Sequence, residues 1–174
     1  MRLLVMALLF APLFAVAQVP VQSVAAVDLA RYTGKWHEVA NFPMFFQRNC
    51  KADTTAEYAV KADGNVSVTN RCTTDSGVDE AVGTATVVPG GNNSKLKVSF
   101  FWPFKADYWV IGLDTDYRWA VVGNPNRKYL WVLSRTPQLP AHLMEAAQAS
   151  ASAQGFDLTQ LRTTVQASGT TGTP

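Results

Sequence analysis

His37 and Glu38 stand side by side in the stretch WHEVAN, and they are the first residues able to do chemistry. A His-Glu pair is half of the zinc-protease pattern, which places a second His four positions after the first on one helical face. That position holds Asn41, so the second ligand is missing. The other histidine, His142, falls in a predicted helix, and strand parity turns His37 away from Trp36. The two are not expected to converge. There is no Gly-x-Ser-x-Gly elbow, no P-loop and no dinucleotide fingerprint. Carboxylates and glycines fall mostly in turns. No catalytic residue, metal ligand or cofactor is assigned. Cys50 and Cys72 remain, and an even count in an exported chain suggests a disulfide. Two free thiols or a two-ligand metal site are the alternatives, although no His or Asp cluster accompanies the pair.

The elements that must position these residues are read from composition and period. The chain has 174 residues, 48% hydrophobic and 16% charged, which fits one domain with a full core. The formal net charge is +2, and Lys and Arg are scattered. Nothing in that pattern predicts nucleic-acid binding. Met1-Arg2 precedes an apolar run ending in Ala15-Val16-Ala17, a signal-peptidase pattern. Residues 1–17 therefore read as a signal peptide, cleaved before Gln18. The run is short and interrupted by Pro12, which argues against a membrane anchor. Residues 18–26 read as a flexible lead-in, 27–166 as the domain and 167–174 as a flexible tail.

From Val27 the period is two. GKWHEVA puts Trp36, Glu38 and Ala40 on one face. TTAEYAV and VSVTNRC flank Asp63-Gly64, a hairpin signal. EAVGTATVV, KLKVSFF, DYWVIGLD, YRWAVVG and YLWVLSR follow, separated by Gly, Asn, Asp and Pro turns. This gives eight strands in up-and-down order. PQLPAHLMEAAQASASAQG then reads as a helix, with Gly155 as its C-cap. Closing eight antiparallel strands into a barrel removes their edges. A two-sheet sandwich fits the same period.

Aromatic residues recur at alternating strand positions. Each taken alone reads as core, but in a closed barrel one face of every strand lines an interior suited to an apolar ligand. The order of motifs resembles the lipocalins. GKWHEVA is similar to their Gly-x-Trp block, LDTDYRWAVVG to the second conserved block and YLWVLSRTP to the third. The run RYTGKWHEVANFPMFFQRNC resembles the bacterial outer-membrane lipocalins, relatives of apolipoprotein D. The resemblance covers Val27 to Gln166.

It implies an all-β fold: an eight-stranded antiparallel up-and-down barrel with one C-terminal α-helix packed outside. It implies a floor in which Trp36, entered through Gly34, lies under Arg135, a cation–π contact worth about 0.5–2 kcal/mol. Parity then offers Glu38, Ala40, Tyr58, Val60, Val98, Phe100, Tyr108, Val110, Trp119, Tyr129 and Trp131 as inward, ligand-binding positions. Phe42 is added at the start of a long loop, Phe42–Phe46, expected at the open end, where it gates entry or touches a membrane. Cys50 folds back to tie that end to the third strand. The implied function is storage or transport of a small apolar ligand, a fatty acid or lysophospholipid. The alternative is a lipocalin-like enzyme acting on a hydrophobic substrate. Gln18 stands where many bacterial outer-membrane lipocalins carry a lipidated Cys, so a periplasmic or secreted form without that anchor is expected. The aromatic loop and outward Trp109 are the surfaces a homodimer would use.

Overall fold

The computed structural model describes residues 19–167. The expected signal peptide and all but the first residue of the expected tail lie outside them. The strands are Gly34–Asn41 (β1), Ala52–Val60 (β2), Val66–Thr74 (β3), Gly77–Val87 (β4), Lys95–Phe101 (β5), Phe104–Leu113 (β6), Trp119–Gly123 (β7), Leu130–Ser134 (β8) and Arg162–Thr163 (β9). The helices are Leu29–Tyr32 (α1) and Ala141–Ala153 (α2). Strands β1 to β8 pair antiparallel in chain order, and β1 pairs with both β2 and β8. The sheet is therefore a closed barrel, as expected, with one short strand added.

Closure is incomplete along one seam. β1 meets β2 only over Gly34–His37, against Tyr58 to Thr55. Beyond His37 the two strands diverge, and residues 162–166 fill the wedge. β9 pairs with Ala40 and Asn41. Asp53 N–H donates to the Val165 carbonyl at 2.8 Å. The buried Gln166 amide donates to the Glu38 and Thr54 carbonyls, both at 2.8 Å. Each strand edge thus gains partners it would otherwise lack, as buried backbone groups require.

Two apolar clusters result. One fills the barrel around Trp36, Tyr58, Val68, Val98, Val110 and Val122. The other lies outside, where Leu143, Ala147 and Ala151 of α2 cover Ile111, Val121 and Val132. The four-residue spacing of these three gives α2 its buried stripe. The helix sits close because Gly112 has no side chain; a Cβ there would stand 2.2 Å from Ser150 Oγ.

The lead-in differs from expectation. It is docked rather than free. Val21 is buried in the outer cluster, Val24 N–H donates to the Val110 carbonyl at 2.8 Å, and Val27 N–H to that of Asn92 at 3.0 Å. Its small residues fit against the barrel, and period gave no signal because the segment runs alongside the sheet without joining it.

Candidate functional site: the mouth of the barrel

The loops after β1, β3, β5 and β7 all emerge at one end, because the strands alternate in direction. The opposite end is sealed. Asp28 caps α1, accepting from Ala30 N–H at 2.9 Å. The helix lies across the barrel floor, where Tyr32 packs on Trp36 with ring centroids 5.1 Å apart. Trp36 is fully buried, and its indole N–H donates to the Tyr32 carbonyl at 2.8 Å. Arg135 stacks 3.8 Å from the Trp36 ring centre and donates to the carbonyls of Thr33 and Lys35 at 3.1 and 3.0 Å. Gly34 enters this floor at φ +88°, backbone that favours glycine.

Above the floor sits a chain of three phenols. Tyr108 shares hydrogen bonds with Tyr32 at 2.8 Å and Tyr58 at 2.9 Å. Burial pushes the Tyr58 phenol up to about 12, and raises Tyr32 and Tyr108 as well. These hydroxyls stay protonated at neutral pH and act as hydrogen-bonding struts. The space beside them is about 10 Å³, walled by Val27, Leu96, Val98 and Val110 among others. A void of that size holds at most one water.

The upper half is different. Phe100 and Trp131 are only half-buried. Phe100 lies across Gly83, where a Cβ would stand 2.8 Å from the ring. Trp131 faces inward, and its indole N–H donates to Gln47 Oε1 at 3.1 Å. Gln47 in turn donates to Glu38 Oε2 at 2.8 Å, and Thr164 Oγ1 donates to Glu38 Oε1 at 2.7 Å. Glu38 is 3% exposed, and burial raises its carboxyl above the ordinary value of 4.5, opposed by those two hydrogen bonds. The loop, the inner wall and Thr164 thus meet at one carboxylate. Beside it opens a cleft of about 430 Å³, walled by Glu38, Gln47, Arg48, Thr54 and Arg162 among others. Arg48 and Arg162 have no ion pair among the described residues.

Of the residues expected to line the barrel, Glu38, Tyr58, Val98, Phe100, Tyr108, Val110 and Trp131 do face inward. Five do not. A β-bulge between Glu38 and Ala40 breaks parity, so Ala40 pairs with outward Val132 and lies under α2. Phe42 follows the same side and meets Phe156 at 6.1 Å. Trp119 is also outside, because β7 turns Ala120 and Val122 inward. Among the described residues its buried indole N–H has no hydrogen-bond partner. Val60 shares the face of Tyr58 but lies past the floor and is half exposed. Tyr129 precedes β8 and stacks on Phe46 at 5.7 Å, forming part of the rim. Of the loop Phe42–Phe46, Phe42 and Met44 are buried, while Pro43, Phe45 and Phe46 are open to solvent. Trp109 does point outward, under the Lys95 ammonium 4.3 Å from its ring.

Cys50 and Cys72 form the disulfide, with Cα atoms 5.5 Å apart. Cys50 lies just before β2, so the bond pins the mouth loop to β3. Sequence reasoning missed Gln47, Arg48, Thr54, Arg162 and Thr164. The alternation of Thr164 and Gln166 was the available signal for the last of these.

The lipocalin-like domain family matches residues 27–166. The chain belongs to the lipocalin family. Among its relatives, this lipocalin is 40% identical over 144 residues to the outer membrane lipoprotein Blc of Vibrio cholerae, covering 81% of this chain and 84% of that one. It is 35% identical over 151 residues to temperature-induced lipocalin-1 of Arabidopsis thaliana, covering 82% and 81%. Bovine apolipoprotein D is 34% identical over 123 residues, covering 65% and 63%. Among solved structures, insecticyanin of Manduca sexta superposes with a TM-score of 0.67 at 21% identity, covering 86% of each chain. That likeness speaks to the lipocalin fold alone.

Proposed function

We propose that this lipocalin carries one amphiphilic lipid, a fatty acid or lysophospholipid, with its apolar part in the upper half of the barrel. The observation that carries this reading is Trp131: an inward indole at the mouth that is packed along its side yet only half-buried, with its N–H donating to Gln47. Phe100 and Val98 continue the apolar wall below it. The packed phenols set the depth limit. The cleft beside Glu38 opens between the mouth loop and residues 162–165, next to the Trp131 wall rather than within it, and Arg48 and Arg162, with no ion pair among the described residues, suit an anionic head group there. Burial of the chain at about 25 cal/mol per Å² drives binding. Of the expected membrane-facing loop, Phe45 and Phe46 are the residues placed to meet a lipid surface.

The disulfide supports an exported protein, and we place the action outside the cytoplasm, periplasmic or secreted. The enzymatic alternative calls for a nucleophile or an acid–base pair inside the barrel; the disulfide removes the Cys50 thiol as a nucleophile and leaves Glu38 and the tyrosines as the groups it would use. The test is a fluorescent fatty-acid titration of wild type and Trp131→Ala, with thermal unfolding of both. Weaker binding at near-equal stability is expected. Equal affinity in the variant would sink the assignment.

A further inference from the structure

The largest unexplained feature lies away from the cavity. Five aromatic side chains at the open end are bare: Phe45 is 74% exposed, Phe46 53%, Phe101 79%, Trp102 90% and Phe104 76%. They fall on two tips, the β1–β2 loop and the β5–β6 turn. In a ring of eight strands these tips are four positions apart, so they stand on opposite sides of the mouth. Folding gains nothing from aromatic surface left in water, and clustered exposure of this kind marks a contact surface.

We infer that the rim docks on an anionic lipid bilayer through two aromatic feet, Phe45-Phe46 and Phe101-Trp102-Phe104, with the mouth between them. The inference rests on the proposed lipid cargo only for its purpose; the surface itself is independent of what the barrel holds. Two tips on opposite sides of a mouth are met together by a broad, flat partner. Trp and Phe are the side chains that settle at a bilayer interface, and neighbouring cations add attraction to anionic head groups. The charge pattern fits. Residues 42–51 contain Arg48 and Lys51, residues 100–105 contain Lys105, and neither stretch contains a carboxylate. Lys51 is shared with Asp75 at 3.3 Å, while Arg48 and Lys105 have no ion pair among the described residues. The same cations argue against a second copy as occupant, because mouth-to-mouth packing sets like charge against like.

The test is flotation of the full chain with phosphatidylcholine vesicles, with and without phosphatidylglycerol. Wild type is expected to float with the anionic vesicles, and less so at high salt. Trp102→Ser with Phe104→Ser removes one foot and is expected to lower partitioning about tenfold or more. Phe46→Ser is expected to lower it by less, and the three changes together to abolish it. The Trp102/Phe104 variant should unfold at the wild-type temperature and keep wild-type affinity for a monomeric fluorescent fatty acid. That separates failure of docking from failure of cargo binding. Wild type that does not float, or variants that float equally well, would overturn the inference. So would a wild-type dimer in sedimentation that dissociates on removal of the foot while no vesicle binding is seen.

Discussion

The two halves of the barrel are built from the same strands yet do opposite things with their aromatics. In the lower half Trp36, Tyr32, Tyr58 and Tyr108 are packed on one another and hydrogen-bonded, around a void fit for one water. In the upper half Phe100 and Trp131 line a wall with solvent access, and Phe45, Phe46 and Trp102 are left exposed on the rim. Packing is thus tight near the floor and open near the mouth, where the proposed ligand would be met. A residue's height in the barrel, more than its type, decides which property its loss will change.

The comparison is broken most severely at the floor. Trp36→Ala removes a fully buried indole and the seat of Arg135, and should cost about 3–5 kcal/mol of stability, read by denaturant unfolding. A variant that lost ligand binding at unchanged stability would move Trp36 into the upper class. Reduction of Cys50–Cys72 is next. It closes a loop spanning 22 residues, and its loss should cost about 3 kcal/mol. Tyr108→Phe should cost about 1–3 kcal/mol, because two buried phenols lose their shared partner, with little change in affinity. Gly83→Ala tests the upper half from the wall. The added methyl pushes on the Phe100 ring, so ligand affinity should fall more than thermal stability does.

The smallest expected effect is a pH dependence centred on Glu38. Its folded carboxyl is raised above 4.5 by burial. A proton is therefore held more tightly in the folded protein than in the unfolded chain. The contribution is fully present below the unfolded value and is lost as pH rises through the folded one. Wild type should lose stability relative to Glu38→Gln as pH climbs above about 4.5, measured by unfolding at a series of pH values. Parallel curves for the two proteins would show that Gln47 and Thr164 fully offset the desolvation.

Sequence period carries the strands, the helix and the shared face of Trp36 and Glu38, while the choice of a barrel over a sandwich rests on the order of the lipocalin motifs. Period fails where pairing departs from one-to-one. The bulge after Glu38 is a property of how β1 meets β8, and nothing local marks it. Parity therefore puts Ala40 on the wrong side, and Phe42, expected in the loop at the mouth, lies instead in the outer core. Trp119 failed for a related reason: its strand has apolar residues on both faces, so alternation has no contrast. Residues 162–166 carry no long period, yet they complete the seam and supply Thr164 and Gln166. That role depends on β1 and β2 diverging, a three-dimensional fact. Trp102 was passed over because it lies between strands, where pattern reading looks for turn formers rather than for contact residues.

The division of the barrel can be read directly from its five tryptophans by following their indole N–H resonances during a fatty-acid titration. The Trp131 indole, bonded to Gln47 at the mouth, should shift on binding, while the Trp36 indole, bonded to the Tyr32 carbonyl at the floor, should stay in place. A shift at Trp36 with Trp131 unmoved would contradict the account.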